Sequence, residues 1–414
     1  MLVSAAVWML CVVNFDALGF PGGDEQVQFT FVRRMFGDAH HAVGYYFGLA
    51  LVEAPFYALG KLFDHAGLHT VSGHPVERTV VALGLGLLTL VAWPSLAAVA
   101  RGLSLRHVGV AVLAAALGTP FFYYATFVPA KNHALDGVLF AGVLYLTYRY
   151  FRRDPPERWV TYGLGAIFGF AYTVRYFNGA EAIALVAALV LWRRIRHAAE
   201  IAVTSAAVCL LLFLIPRAFG VDVFAGGSYS AENVLTFAPL NPLRMLFTDH
   251  RGYVVWSPVA GLAVVGLVHL FRSRPAQRRF LVATVAMSLA VIASYSLVAF
   301  WDGTLAFGQR FYTPLFPVVA IGLAGLLDLA PTIAAVTMSA AVAWSLFLCF
   351  NFVTIGGPQY LTTTTGGASD LALVPVRDHT SVGAYGFGIW HRSNLLRPFF
   401  AWPFSSGQPA GSGR

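Results

Sequence analysis

The stretch LVSAAVWMLCVVNFDALGF, residues 2–20, followed at once by PGGDE, residues 21–25, decides how the chain is to be read. The first run is about as long as a helix must be to cross a bilayer. Its one ionisable side chain is Asp16, which marks either a pathway or a helix end near the surface. Pro21, Gly22 and Gly23 break the run, and Asp24 and Glu25 follow in a chain that is only 11% charged. Two adjacent carboxylates at a membrane surface suit chemistry in which one of them removes a proton. A solvated pair in a polar loop accounts for them equally well, so the rest of the chain has to decide.

Working outward, apolar runs of spanning length recur from end to end. The chain is 58% hydrophobic with a mean hydropathy of +0.68, above the apolar share of soluble domains. It reads as an all-α, polytopic membrane protein. The first run lacks a basic leader and a small-residue cleavage site, so it reads as a retained span rather than a signal peptide. The net charge of +8 does not point to nucleic acid, because the basic residues cluster in short loops between spans. Cys11, Cys209 and Cys349 lie far apart inside apolar runs and read as small core residues.

About eleven spans are expected: residues 2–20, 78–100, 107–124, 134–150, 159–174, 179–192, 201–219, 253–271, 280–298, 311–329 and 332–354. They form one transmembrane domain, 1–354, with a first outer loop at 21–77 and a polar tail at 355–414. Within that loop, residues 45–63 contain Glu53 and Lys61, costly in hydrocarbon, and Pro55, which is expected to interrupt the helix midway; the piece is too polar for a span and better suited to a helix lying at the interface. Arginines crowd alternate loops, at Arg101 and Arg106, at Arg149, Arg152, Arg153 and Arg158, at Arg193, Arg194 and Arg196, and at Arg272, Arg274, Arg278 and Arg279. By the positive-inside rule these loops are cytoplasmic, and Asp24, Glu25 and the tail face the other side.

The opposite loops carry isolated cations among aromatic and polar residues: Lys131 and His133, Arg175, His250 and Arg310. Each alone could anchor a helix end. Several separate loops bringing single cations to the face that holds Asp24 make a better case for an anion site. No phosphate-binding glycine loop, dinucleotide fingerprint, Cys-x-x-Cys or zinc-binding His-Glu-x-x-His is present, and no duplicated half typical of many transporters stands out.

Three segments carry a family resemblance: Gly23-Asp24-Glu25, the stretch Gly44-Tyr45-Tyr46 with residues 54–63, and the pair of segments 251–258 and 307–312. Their order over most of residues 2–354 resembles the bacterial GT-C-fold integral membrane glycosyltransferases, the mannosyltransferase and aminoarabinose-transferase-like enzymes that use polyprenyl-phosphate sugars. The loop helix lacks the lysine-rich entry many members show, and the tail after Thr354 matches no segment of the family.

The resemblance implies a GT-C-like fold in a cell inner (plasma) membrane and inverting transfer of a sugar from a polyprenyl-phosphate donor to an acceptor hydroxyl. The acceptor would be a glycan, lipid or protein, and the reaction would take place on the extracytoplasmic face. Asp24 would be the general base, with Glu25 orienting it or binding acceptor. Arg310 is the first choice for the donor phosphate because a guanidinium grips two oxygens at once, with Lys131, His133, Arg175 and His250 behind it. No cofactor and no metal site are expected from so few scattered acids, although a divalent ion remains compatible with the chemistry. A transporter or flippase of lipid-linked saccharides is the competing class. It would share the outward cations but has no need of an acid in the first loop.

Overall fold

The computed structural model describes residues 1–14, 24–39, 47–68, 75–221, 242–247, 252–298 and 307–355, with the side chains of 13, 14, 24–28, 244, 351 and 353–355 left aside. Among them the regular elements are helical. They are α1 (Leu2–Asn14), α2 (Asp24–Met35), α3 (Phe47–His65), α4 (Val76–Leu88), α5 (Ala92–Gly102), α6 (Val108–Gly118), α7 (Phe121–Thr126), α8 (Asn132–Arg152) and α9 (Arg158–Val174). Then follow α10 (Gly179–Leu191), α11 (Ile195–Ala218), α12 (Pro242–Phe247), α13 (Tyr253–Trp256), α14 (Pro258–Ser273), α15 (Arg278–Tyr295), α16 (Phe316–Leu329) and α17 (Pro331–Ile355).

Five stretches are long and apolar enough to cross a membrane: Val76–Gly102, Ile195–Ala218, Pro275–Tyr295, Arg310–Leu329 and Pro331–Phe350. Shorter apolar helices occupy Leu2–Val12, Val108–Gly118, Tyr176–Leu191 and Pro258–Ser273. The apolar runs therefore became helices where expected, but two runs are broken. The run over 107–124 stops at Thr119 and Pro120 and restarts as α7, because proline cannot donate into the preceding turn. The run from Tyr253 breaks at Ser257-Pro258 for the same reason.

Packing sorts the helices into inner and outer ones. The Arg310–Leu329 stretch is 89% buried, whereas only 11% of α11's apolar window is buried, so the first is central and the second has little protein around it. A helix that is apolar all round can do either in a bilayer. Close approach depends on small residues, as membrane helix pairs require. A side chain on Gly266 of α14 would collide with the backbone of Gly322 on α16, and Gly325 meets α14 in the same way. Gly165 and Gly169 let α9 lie against α11. Near α1, Trp8 stacks on Trp93 and Phe121 at 5.7 and 5.6 Å and donates its indole N–H to Thr89 at 2.8 Å.

α2 and α3 share a second apolar cluster with α4 and with Val174 at the end of α9. α3 runs unbroken through Pro55, so the expected interruption there does not occur. It packs on α2, α4 and α9. Tyr57 donates its hydroxyl to Asp38 at 2.6 Å and Lys61 adds a 3.2 Å ion pair, which together hold the Asp38 carboxyl below the usual range. Glu53 is wholly buried within the protein, and neither of its carboxyl oxygens has a hydrogen-bond partner among the described residues. Burial pushes this carboxyl up to about 8, so at neutral pH it is mostly protonated. Burial against neighbouring helices keeps Glu53 from lipid.

Candidate active site

Two short irregular segments build the site. α9 ends at Val174, Arg175 is extended, and a single tight turn over Tyr176–Asn178 leads into α10. Opposite, Lys131 is the extended residue before α8, and a tight helical turn over Arg310–Leu315 leads into α16. Side-chain bonds fasten these ends together. Asn132 donates to the Val174 carbonyl at 3.2 Å, which ties the start of α8 to the end of α9. Asn178 donates to Asp136 at 2.9 Å and to the Ala171 carbonyl at 3.1 Å.

At the centre lies Arg175, 3% exposed. Its Nη1 donates to Asp136 Oδ2 at 2.9 Å and contacts His133 Nδ1 at 3.1 Å. A guanidinium cannot accept a proton here, so His133 accepts at Nδ1 and is neutral in this arrangement. Above the pair are rings: the Arg175 guanidinium carbon sits 4.8 Å from the Tyr295 centroid and 5.5 Å from that of Phe311, which stack on each other at 4.8 Å. Tyr124 closes another side, 4.6 Å from the His133 ring. Desolvated cation–π contacts of this kind are worth about 1–2 kcal/mol each. They also keep the guanidinium rigid.

Arg310 also lies against this ring, its guanidinium carbon 5.0 Å from the Phe311 centroid. It is only partly buried, and its Nε, which is buried, has no hydrogen-bond partner among the described residues. No described carboxylate forms an ion pair with it. The charges of Arg175, Arg310 and Lys131 all reach His133. Asp136 balances Arg175, while Arg310 has no carboxylate partner among the described residues, a suitable setting for an anionic group. Glu181, buried in the first turn of α10, lies beside the Asp136–Arg175 pair and adds a second carboxyl to the cluster.

Four of the residues singled out in the sequence therefore meet: Lys131, His133, Arg175 and Arg310. Their separation in the chain is large, and α8, α9 and the turn before α16 bring them to one end of the bundle. Asp24 and Glu25 are the first residues of α2, but their side chains are outside the described set, as is all of His250. Asp136, Asn178 and Glu181 were not foreseen as site residues. The signal was present: acids one turn inside otherwise apolar runs are costly unless partnered. Among the described residues no three His, Cys, Asp or Glu side chains gather as a metal site.

Comparison with known proteins points the same way. Residues 66–217 match the family model of dolichyl-phosphate-mannose-protein mannosyltransferases. The fold is similar to ArnT from Cupriavidus metallidurans bound to undecaprenyl phosphate, with a TM-score of 0.56, 17% identity, and coverage of 96% of this chain and 72% of that one. The apo state of that ArnT matches at a TM-score of 0.54 and 15% identity, over 94% of this chain and 74% of that one. No curated protein matches. These findings agree on one class, the GT-C-fold membrane glycosyltransferases, and so bear out the resemblance drawn from the sequence. The chain is a multi-pass membrane protein with that fold.

Proposed function

We propose that the protein transfers a sugar from a polyprenyl-phosphate donor to an acceptor hydroxyl on the extracytoplasmic face, with inversion at the anomeric carbon. The observation that carries this reading is the convergence of Arg175 and Arg310 on the Phe311 ring, beside Lys131 and His133. In transfer, the bond between the anomeric carbon and the phosphate oxygen breaks and negative charge grows on the phosphate. Fixed cations stabilise that charge most where water is scarce. Arg310, with no carboxylate partner among the described residues, is assigned to the phosphate oxygens. Arg175 is held by Asp136 and keeps Phe311 and His133 in position. Asp24, at the first turn of α2, takes the acceptor proton, and Glu25 orients it or the acceptor.

The undecaprenyl phosphate of the similar ArnT structure supports a lipid-linked donor here. The arginine-rich loops support placing the site on the side away from them, in the plasma membrane. The test is reconstitution in vesicles with a polyprenyl-phosphate sugar and a soluble acceptor on one side. Transfer with an inverted anomeric centre, accompanied by release of free polyprenyl phosphate, is the expected result. Movement of intact donor between leaflets without transfer would mean a flippase instead.

A further inference from the structure

The far ends of α8 and α9 carry a second basic cluster that the transfer reading does not use. α8 runs from the candidate site to Arg152 and α9 returns from Arg158, so the loop between them lies roughly 30 Å from that site at the helical rise per residue. The turn joining α10 to α11 meets this loop. The Phe151 and Trp192 rings contact edge-on at 5.4 Å. Arg194 donates to Asp154 at 2.9 Å and lies over Tyr150, its guanidinium carbon 5.4 Å from the ring centroid. The Tyr150 hydroxyl shares a hydrogen bond with His197 Nδ1 at 2.8 Å. One loop is thereby fixed against the other.

Positive charge is left over at this junction. Of the seven arginines in residues 149–158 and 193–196, four are paired: Arg149 and Arg153 with Glu157, Arg194 with Asp154, and Arg196 with Glu200. Arg152, Arg158 and Arg193 are exposed and have no carboxylate partner among the described residues. Arg152 and Arg193 follow the two touching rings, one on each loop, so their long side chains start from adjoining points. Arg193 also stands where a side chain is unwelcome. Its N–H and that of Arg194 close α10 on the Val190 and Leu189 carbonyls, at 2.9 and 2.8 Å, and its φ is +59°. Glycine is the residue that such a helix ending favours.

Orientation in the membrane requires basic residues somewhere in these loops. It requires neither two of them free on adjoining loops nor one in a left-handed turn. Leu191 and Ile195, on either side of the same turn, are 81% and 64% exposed. Apolar side chains beside free arginines suit a ligand with acyl chains and an anionic head.

We propose that Arg152 and Arg193 hold the phosphate of an anionic phospholipid in the leaflet opposite the cation site, with its acyl chains against Leu191 and Ile195. Each guanidinium offers a planar pair of donors, which phosphate oxygens match. Basic pockets between helix ends on the cytoplasmic side take anionic head groups in this way. The lipid bridges the α8–α9 and α10–α11 hairpins and braces the far ends of the helices that place His133 and Arg175. It takes no part in sugar transfer.

Thermal unfolding of the whole protein in nanodiscs tests this. Adding phosphatidylglycerol to phosphatidylcholine discs is expected to raise the wild-type unfolding temperature by about 2–4 °C, because a ligand bound by the folded state stabilises it. Arg152→Gln combined with Arg193→Gly should lose that rise. In pure phosphatidylcholine, Arg193→Gly should unfold no earlier than wild type, since glycine adopts the left-handed turn without strain; this separates lost binding from a damaged fold. Arg272→Gln combined with Arg279→Gln, in another basic loop, should keep the rise. An unchanged rise in the first double variant overturns the proposal, and so does its loss in both, which would mean general surface charge. An equal rise from inorganic phosphate in pure phosphatidylcholine overturns the lipid assignment in favour of a soluble phosphate. Native mass spectrometry gives a second readout: wild type retains phosphatidylglycerol in preference to phosphatidylcholine, and the first double variant does not. Equal retention of the two lipids by wild type overturns the site.

Discussion

Arg175 and Asp136 form a 2.9 Å ion pair that almost no solvent touches, joining the end of α9 to the second turn of α8. Two charges taken out of water gain little over an apolar pair, but leaving one of them alone is expensive. The pair therefore sets position more than stability. It fixes where His133 and the Phe311 ring stand relative to Arg310.

That asymmetry gives the first prediction. Asp136→Asn should destabilise the protein by about 3–5 kcal/mol, because it strands a buried guanidinium. The double variant Asp136→Asn with Arg175→Gln should recover part of that loss. Thermal unfolding of the detergent-solubilised protein checks this through a double-mutant cycle. Additive losses would show that the two residues do not act as a pair.

Glu53 provides a pH dependence with a definite sign. Its folded carboxyl is pushed up to about 8, above the ordinary value of 4.5, so the folded protein binds the extra proton between those limits. Stability from this group is fully present below about pH 4.5 and is lost as pH rises towards 8, at no more than about 1.4 kcal/mol per unit. Glu53→Gln keeps the shape without the titration. Its unfolding temperature should vary less than that of wild type between pH 5 and 8. A parallel pH dependence in both proteins would show that Glu53 ionises freely.

Arg310 supplies the third. Arg310→Lys keeps the charge but loses the planar fork and the stacking on Phe311, so donor use should weaken without vanishing. Arg310→Ala removes both and should cost more, in kcat as well as KM if the contact strengthens as the phosphate charge develops. Steady-state kinetics with a defined donor separate the two variants. If Arg310→Ala is indistinguishable from wild type, Arg310 is an anchor at a helix end and the phosphate is held elsewhere.

The helices were legible because bilayer thickness imposes a length on every apolar run, and breaks at prolines are local chemistry. The expectation that Pro55 would interrupt its helix failed. Proline removes one backbone donor, and packing of α3 on α2, α4 and α9 outweighs that loss. The cations could be listed from the sequence because each stood alone in a polar loop. Their carboxylate partner could not, since Asp136 precedes Arg175 by 39 residues and meets it only through the antiparallel packing of α8 and α9. Glu53 shows the same limit: cost in hydrocarbon was read as a place at the interface, while burial inside protein is the other way to keep a carboxyl from lipid.

The last prediction bears on the chemistry itself. A sugar hydroxyl is a weak nucleophile, and its attack on the anomeric carbon releases a proton that some group must take. Asp24 opens α2, which packs on α3, and Tyr57 of α3 is bonded to Asp38 just beyond the end of α2. The helix that presents Asp24 is thus fastened at its far end. Asp24→Asn keeps the side chain's shape and removes only the proton acceptor, so turnover should fall by about a hundredfold or more. Glu25→Gln should cost less if that residue orients rather than accepts. Folding should be unaffected in both, judged by unfolding temperature, which separates a chemical defect from a structural one. Lowering Asp38's hold through Tyr57→Phe offers a contrast: about 1 kcal/mol of stability lost with the base still present, and a correspondingly milder fall in turnover. Full transfer by Asp24→Asn with its proper donor would exclude Asp24 as the base and reopen the flippase reading, in which that carboxylate has no work to do.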